Sequence, residues 1–440
     1  MRKEVLTSDI LVIGAGPAGL AAGYSAARSG RSVLLVDENP TPGGQIWRGE
    51  WRHPRSRRAA FWFKKIYEGR IPVLNGVRII AEPEEGVLLG EGVDTLYELR
   101  FDKLILATGA RERFLPFPGW TLPNVVGAGG LQAMVKMGLP IRGKRVVVAG
   151  TGPLLLAVAA YLRAQGACVL LVAEQTPLSR LLWLGWGLWR YPSKSVQALL
   201  LRGQLLGVPY RTNCWPIAAE GEGKLERVTL RCGSRTWVVR CDYLACGFHL
   251  VPNVELARLL GCELLHGFVR VNALQETSRP NVFCAGEPTG IGGVELALLE
   301  GQIAGYAAAG DLKRARSLFA ARNRWRLFAE RLHRAFTLRP ELKDLPDAQT
   351  IICRCEDITL ERLERFCSWR EAKLQTRCGM GPCQGRICGP IVEFLFGWHV
   401  DSVRPPIFPA RVVSLIPMEG EDSTYVHELG RRYAGDHHEF

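Results

Sequence analysis

At 440 residues the chain is too long for one simple core, so two or three domains are expected. A hydrophobic share of 47% with 22% charged residues excludes broad disorder. The net charge of +13 is spread along the chain apart from Arg52–Arg58 (RHPRSRR), and no nucleic-acid module accompanies it, so that cluster reads as a solvated loop or a partner contact.

The chain is organised around Asp9–Asp37. Ile10 to Ile13 reads as a buried parallel strand. Gly14-x-Gly16-x-x-Gly19 follows, with Pro17 and Ala18 inside it, and then a small-residue helix to about Ser29. A second apolar strand, Arg31 to Val36, ends on Asp37. This strand–turn–helix–strand context marks a dinucleotide-binding fingerprint. Gly14 permits the tight turn, Gly16 lets backbone approach a pyrophosphate, and Gly19 lets helix and strand pack. The pyrophosphate is expected on the positive helix start. Asp37, 18 residues after Gly19, is placed to accept from ribose hydroxyls, with Glu38 as the fallback. Arg2 and Lys3 ahead of an apolar run have the look of an export signal, but that run carries the fingerprint. Without an export signal, the thirteen cysteines argue for metal or redox chemistry in a cytoplasmic protein and against a disulfide scaffold.

Next comes Pro42-Gly43-Gly44-Gln45-Ile46-Trp47, where Gly44 and Gln45 are expected to pass close to a flat ligand. Tyr67 to Arg100 suggests short strands and carries no assigned site. Asp102 to Ala110 is an apolar strand ending in Ala107-Thr108-Gly109. Lys144 to Glu174 repeats the opening pattern with Gly150, Gly152 and Pro153, which points to a second doubly wound domain. Its third glycine is replaced by Leu155, so the site it predicts, with Glu174 on a ribose, holds NAD(P), another adenine nucleotide or nothing. Val146 to Leu162 is apolar but slightly short to span a bilayer and is broken by that same turn. Trp183, Trp186 and Trp189 share a helical face; core packing is the default and a partner-docking surface the sharper reading.

Asp242 to Phe248 is an apolar strand that returns towards the first domain. Asn281 to Glu287 ends on Gly286 and Glu287, Cys284 is expected to be buried in that strand, and a helix begins near Val294. The first 340 residues are read as free of any C-x-x-C or C-x-x-x-x-C pair, which removes the chemistry of a disulfide reductase. A helix to Ala335 and a linker with Pro340 and Pro346 lead to the last cysteine set. Cys353-x-Cys355 is followed, after 27 residues, by Cys383-x-x-x-x-Cys388. Four soft sulfur ligands suit zinc or an iron–sulfur cluster, and the redox setting favours [2Fe–2S]. The glycine-rich loop Cys378 to Pro382 can aim amides at cluster sulfides. Cys378 is a fifth thiolate able to swap in, and Cys367 reads as core of a helix from Thr359.

The first fingerprint, the acid after strand two and the GGQ turn resemble the FAD domain of two-dinucleotide-fold flavoproteins, and ATG and CAGE resemble its further signatures. That likeness implies that Gly44 and Gln45 approach the flavin, that the crossing runs through Ala107-Thr108-Gly109, and that Glu287 reaches the ribityl chain where the family usually has Asp. It also implies that amides at Val294 face the flavin pyrimidine. The last module resembles the bacterioferritin-associated-ferredoxin-like (BFD-like) [2Fe–2S] domain, with Cys353, Cys355, Cys383 and Cys388 as ligands. Together, through GGQIWR, AGTGPLLL, CAGEPTG, CRCE and GMGPCQGRICG, nearly the whole chain resembles the α-type subunits of hydrogen cyanide synthase, opine oxidases and proline or hydroxyproline dehydrogenases.

The expected fold is α/β. An FAD domain (1–115 and 246–312) holds an inserted NAD(P)-type Rossmann-like domain (116–245). A helix and linker (313–347), a BFD-like domain (348–400) and a tail for partner contact (401–440) follow. The resemblance implies an electron-transfer subunit with no substrate site or catalytic residue of its own. It would pass electrons from a β subunit similar to D-amino-acid oxidases to a quinone or dye-like acceptor. The substrate would be an amine or amino acid of opine, proline, hydroxyproline or glycine type. The location is cytoplasmic, with peripheral contact at the inner face of the membrane and no transmembrane segment. The alternatives are a self-sufficient NAD(P)H-dependent flavin oxidoreductase and a cluster-delivery or assembly protein.

Overall fold

In the computed structural model, residues 1–400 and 403–416 are described, so most of the expected tail contact lies outside the described residues. The chain forms two compact units. One holds residues 1–110, 252–326 and 403–416; the other holds 111–251 and 327–400. The chain crosses between them after residues 110, 251 and 326, and the cysteine module lies in the same unit as residues 111–251. The expected linker divides at Arg326, within the helix Phe319–Ala335.

The first unit is built on a seven-stranded sheet. Val73–Asn75, Val33–Asp37, Arg2–Ile13 and Thr95–Leu106 are parallel neighbours, and Val282–Cys284 joins Thr95–Leu106 in parallel. Val87–Glu91 and Arg78–Glu84 extend the edge antiparallel. The first strand starts at Arg2, well before Ile10, because it pairs from Arg2↔Thr95 through to Ile13↔Leu106. Only its second half is buried, which is why the apolar run marks that half alone. Two small-residue helices, Pro17–Arg28 and Gly293–Ala308, press together on one face. A Cβ on Gly301 would meet the backbone of Ala18, and one on Gly305 the backbone of Ala22. This close approach brings Gly286, the strand-end glycine, against Ala18.

The second unit carries a five-stranded parallel sheet in the order Tyr210–Thr212, Cys168–Glu174, Arg145–Thr151, Tyr243–Phe248, Val125–Gly127. A three-stranded antiparallel sheet, Cys214–Glu220, Arg227–Cys232 and Arg235–Arg240, follows. The cysteine module adds the strand pair Ile351–Cys353 and Ile358–Thr359 and the helices Trp369–Thr376 and Cys388–Phe396. One continuous core joins Phe117, Trp120 and Trp215 of the inserted domain to Ile352, Trp369 and Ile391 of the module. The Trp120 indole N–H donates to Ile351 O at 2.6 Å. Burying those large side chains in common is what makes the two segments one unit.

Candidate functional site

The first glycine loop is shaped as its sequence requires. Gly14 has φ +104°, and its amide donates to Val36 O at 2.7 Å. Any Cβ there would strike the Ala107 carbonyl, and any on Gly19 would strike Gly14. Gly16 and Gly44 face each other backbone to backbone, with an imagined Gly44 Cβ at 2.9 Å from Gly16 Cα. The Gly43 amide donates to Ala15 O at 2.8 Å and ties the GGQ turn to the fingerprint. Pro17 occupies the first helical turn, where its missing N–H costs nothing. The result is a side-chain-free cradle at a helix start, suited to a pyrophosphate.

Asp37 is buried, and its carboxylate accepts from the Ala15 amide at 2.5 Å and from the Asn39 amide and side chain at 2.7 Å. Its first task is therefore to fix the glycine loop. Glu38 faces outward and pairs with Arg78 at 3.3 Å. Arg48, the last residue of GGQIWR, joins this corner although no spacing in the sequence singles it out. Arg48 Nη2 donates to Asn39 Oδ1 at 2.8 Å and to Gln45 Oε1 at 3.0 Å, while its buried Nε has no partner. An orphaned guanidinium N–H beside a glycine cradle fits the anionic part of a dinucleotide.

At the crossing, Ala107 bonds to Ile13 O through its amide, and Thr108 Oγ1 donates to Asn253 O at 2.6 Å. The Asn253 amide returns a bond to Gly109 O at 3.0 Å. Glu287 Oε2 and Oε1 accept from the Gly292 and Gly293 amides at 3.0 and 3.1 Å, just ahead of Val294. Burial pushes its carboxyl up to about 7, against the pull of those amides. Glu300, which has no motif to announce it, supports this corner. It accepts from the Gly286 amide at 3.2 Å and Thr289 Oγ1 at 2.9 Å, and it pairs with Arg326 at 3.0 Å.

The second glycine loop is spent internally. Glu174 has no exposed area; its oxygens accept from the Gly152 and Thr176 amides, both at 2.9 Å. Burial raises its carboxyl despite those donors. The expected ribose contact is corrected accordingly, since Glu174 presents no free face. The segment Phe336–Arg339 lies over the strand ends where an adenosine would sit. Phe336 O accepts from Thr151 Oγ1, Thr337 O from Gln175 Nε2, and Arg339 donates to Gln175 O and Asn213 Oδ1. His249 Nε2 lies 2.6 Å from Phe336 O. Gly150 and Gly152 keep positive φ, and Pro153 precedes a helix that buries Leu155 where Gly19 stands in the first loop.

The last cysteines converge. The sulfurs of Cys353, Cys378 and Cys388 lie within 4.8 Å of one another. Cys383 is within hydrogen-bond reach of both Cys388 and Cys355, so all five thiols form one group. Amides of Gly379 and Glu356 point at Cys353, and those of Gly385 and Ile387 at Cys383. Gly381 passes so close to Cys355 that no Cβ fits there. Amides aimed at clustered sulfurs stabilise thiolate charge, which suits a sulfur-ligated metal centre. Cys355 is exposed at the rim while Cys353, Cys378 and Cys388 are buried.

Three further expectations are corrected. Cys367 is not helix core: it is exposed, beyond the short helix Leu360–Leu363. Trp183, Trp186 and Trp189 are likewise exposed rather than core. A C-x-x-x-x-C spacing does occur early, at Cys241 and Cys246. Both are buried in the inserted domain, and burial pushes the Cys241 thiol up to about 12 and that of Cys246 higher, so neither is a reactive pair member.

A profile of the pyridine nucleotide-disulphide oxidoreductase family matches residues 8–311. Hydrogen cyanide synthase subunit HcnB of Pseudomonas aeruginosa is 31% identical over 420 residues, covering 86% of this chain and 90% of that one. An opine oxidase subunit of Rhizobium meliloti (strain 1021) is 32% identical over 451 residues, covering 91% and 96%. A crystal structure of L-proline dehydrogenase from P. horikoshii shares the fold, with a TM-score of 0.65 at 18% identity, covering 95% of this chain and 81% of that one. The chain is an FAD-dependent oxidoreductase of the pyridine nucleotide-disulphide oxidoreductase family, and within it belongs with the α-type subunits that include HcnB and its opine oxidase counterpart.

Proposed function

We propose that this chain is the electron-transferring subunit of a heteromeric amine or amino-acid dehydrogenase. A second flavoprotein, similar to D-amino-acid oxidases, oxidises the substrate, and a quinone or dye-like acceptor takes the electrons. The observation that carries the reading is the five-thiol group, caged by backbone amides, on the same chain as a glycine-lined dinucleotide cradle. FAD takes electrons in pairs and gives them up one at a time, and a [2Fe–2S] cluster carries one.

Gly14, Gly16 and Gly44 would leave room for the FAD pyrophosphate, and Arg48 would supply its orphaned N–H. Glu287 holds the loop before Val294, where helix amides would face the flavin. Cys353, Cys355, Cys383 and Cys388 would hold the cluster, with Cys378 in reserve beside Cys353 and Cys388. The exposed edge at Cys355 gives that centre a side open to a redox partner.

The closed second cleft counts against the NAD(P)H-dependent alternative: Glu174 is enclosed and Phe336–Arg339 covers the strand ends. The test is to purify the chain alone and with its co-purifying flavoprotein, then follow flavin absorbance under argon. Bleaching by an amino acid only when both proteins are present supports the proposal. Bleaching by NADH in the isolated chain refutes it, as does a preparation holding zinc and no iron or acid-labile sulfide.

A further inference from the structure

Nine of the 26 large apolar side chains that stand exposed among the described residues fall within Leu178–Leu206. Seven of them lie on two helices, Leu178–Gly187 and Pro192–Gln204; Trp189 lies in the turn Leu188–Arg190 between them and Leu206 just past the second. From the first helix into that turn, Leu178, Leu182, Trp186 and Trp189 follow one another at spacings of four, four and three, a single stripe. Trp186 is 85% exposed and Trp189 70%. On the second, Leu199 is 73% exposed. The fold does not use these stripes. The hairpin is held from its other side, by Leu184 packed on Ala335 and Phe336, by Tyr191 against Phe328, and by Leu205 in the inserted domain's core.

Charge supplies the second observation. About one residue in ten of the whole chain is acidic, yet the 45 residues from Gln175 to Ala219 contain no Asp or Glu. They contain Arg180, Arg190, Lys194, Arg202 and Arg211. A leucine and tryptophan face whose own stretch of chain carries only cations is the pattern of a helix that lies in the plane of an anionic bilayer. Tryptophan prefers the headgroup level, and the cations meet anionic lipid phosphates. No described helix is long and apolar enough to cross a membrane, so attachment would be in-plane.

We infer that the hairpin Leu178–Leu206 is a monotopic attachment site that seats in the headgroup layer of an anionic bilayer. This rests on the surface alone and holds or fails independently of the electron-transfer reading. The test is flotation of the full chain, with any bound cofactors, on vesicles of phosphatidylglycerol and phosphatidylethanolamine, against vesicles of phosphatidylcholine. The chain should float with the anionic vesicles, less so as salt rises. Trp186→Glu combined with Leu199→Glu should lower that binding at least about tenfold, since each removes apolar area and adds repulsion. Unchanged circular dichroism controls for folding, and Trp186→Ser provides a milder variant at the same exposed position. Absence of flotation by the unaltered chain overturns the inference, as does undiminished flotation of the variants. Loss of a protein–protein contact with vesicle binding unchanged overturns it too, and assigns the face to a protein partner.

Discussion

Gly301→Ala tests whether backbone contact between the two small-residue helices holds the FAD-binding corner in place. An added Cβ would lie 2.9 Å from Ala18 C and 3.0 Å from Ala18 Cα, with the carbonyl oxygen nearer still. Carbon atoms pack comfortably at about 3.5–4.0 Å, so the helices must part by at least about half an ångström. The obstacle is backbone, which cannot rotate away, so overpacking should reach the upper part of its usual range, about 3 kcal/mol. Alanine recovers about 1 kcal/mol of helix propensity. The net loss is about 2 kcal/mol, or roughly 4–8 °C in melting temperature for a unit of this size. Gly185→Ala is the comparison: it sits within a helix with no atom inside 4 Å of the new Cβ, so only the propensity term acts and stability should rise. Thermal melts followed by circular dichroism and by release of flavin fluorescence measure both. A Gly301→Ala protein as stable as the parent, or shifted in the same direction as Gly185→Ala, refutes the argument.

Arg326→Ala should destabilise by about 2–4 kcal/mol in a denaturant titration, because it strands buried Glu300, and adding Glu300→Gln should recover much of the loss. Burial holds the His249 imidazole down at about 4, below its ordinary 6.5, next to Arg113 and His333. A lowered pKa contributes stability that is complete above about pH 6.5 and is lost as the pH falls through 4, on the order of 3 kcal/mol in all. His249→Asn should flatten that acid limb in melts between those pH values, and an unchanged limb assigns the acid sensitivity to other groups. Cys353→Ser should abolish bound iron and labile sulfide, whereas Cys378→Ala and Cys367→Ser should retain both. Iron lost on Cys378→Ala would show that the four-ligand assignment is wrong.

Where function rests on backbone shape, the sequence was legible. Gly14, Gly19 and Gly44 stand where their lack of a Cβ is required, and the motif marks them. The cysteines of the last module were legible because few residues tolerate that chemistry at that density, although only folding brings Cys378 in beside Cys353 and Cys388. What was not legible depends on long-range partners. Glu300 looks like any helix glutamate until Gly286 and Arg326 are folded onto it. Trp186 carries a core residue's identity on an exposed face, and periodicity cannot say which way a helix face points. The union of the cysteine module with the inserted domain rests on Trp120, Trp215 and Trp369 meeting across more than a hundred residues of sequence.

The two glycine loops show how one motif takes opposite fates. In each, the acid ending the second strand accepts from an amide of the loop it faces: Asp37 from Ala15, Glu174 from Gly152. That shared bond shapes the loop and says nothing about occupancy. The difference lies in what surrounds it. The first loop faces a second pair of glycines and an arginine N–H without a partner, so polar capacity is left for a ligand. Around the second loop, Thr151, Gln175 and Thr176 are all buried, and the carbonyls of Phe336 and Thr337 take donors from Thr151 and Gln175, so that of these side chains only Gln175 Oε1 is left without a partner. Hydrogen-bond groups already satisfied within the protein offer a ligand little gain to offset its own desolvation. The incomplete fingerprint and the covering segment therefore point the same way. Leu155 in place of the third glycine and the strap Phe336–Arg339 go together, on the same domain whose core the cysteine module shares.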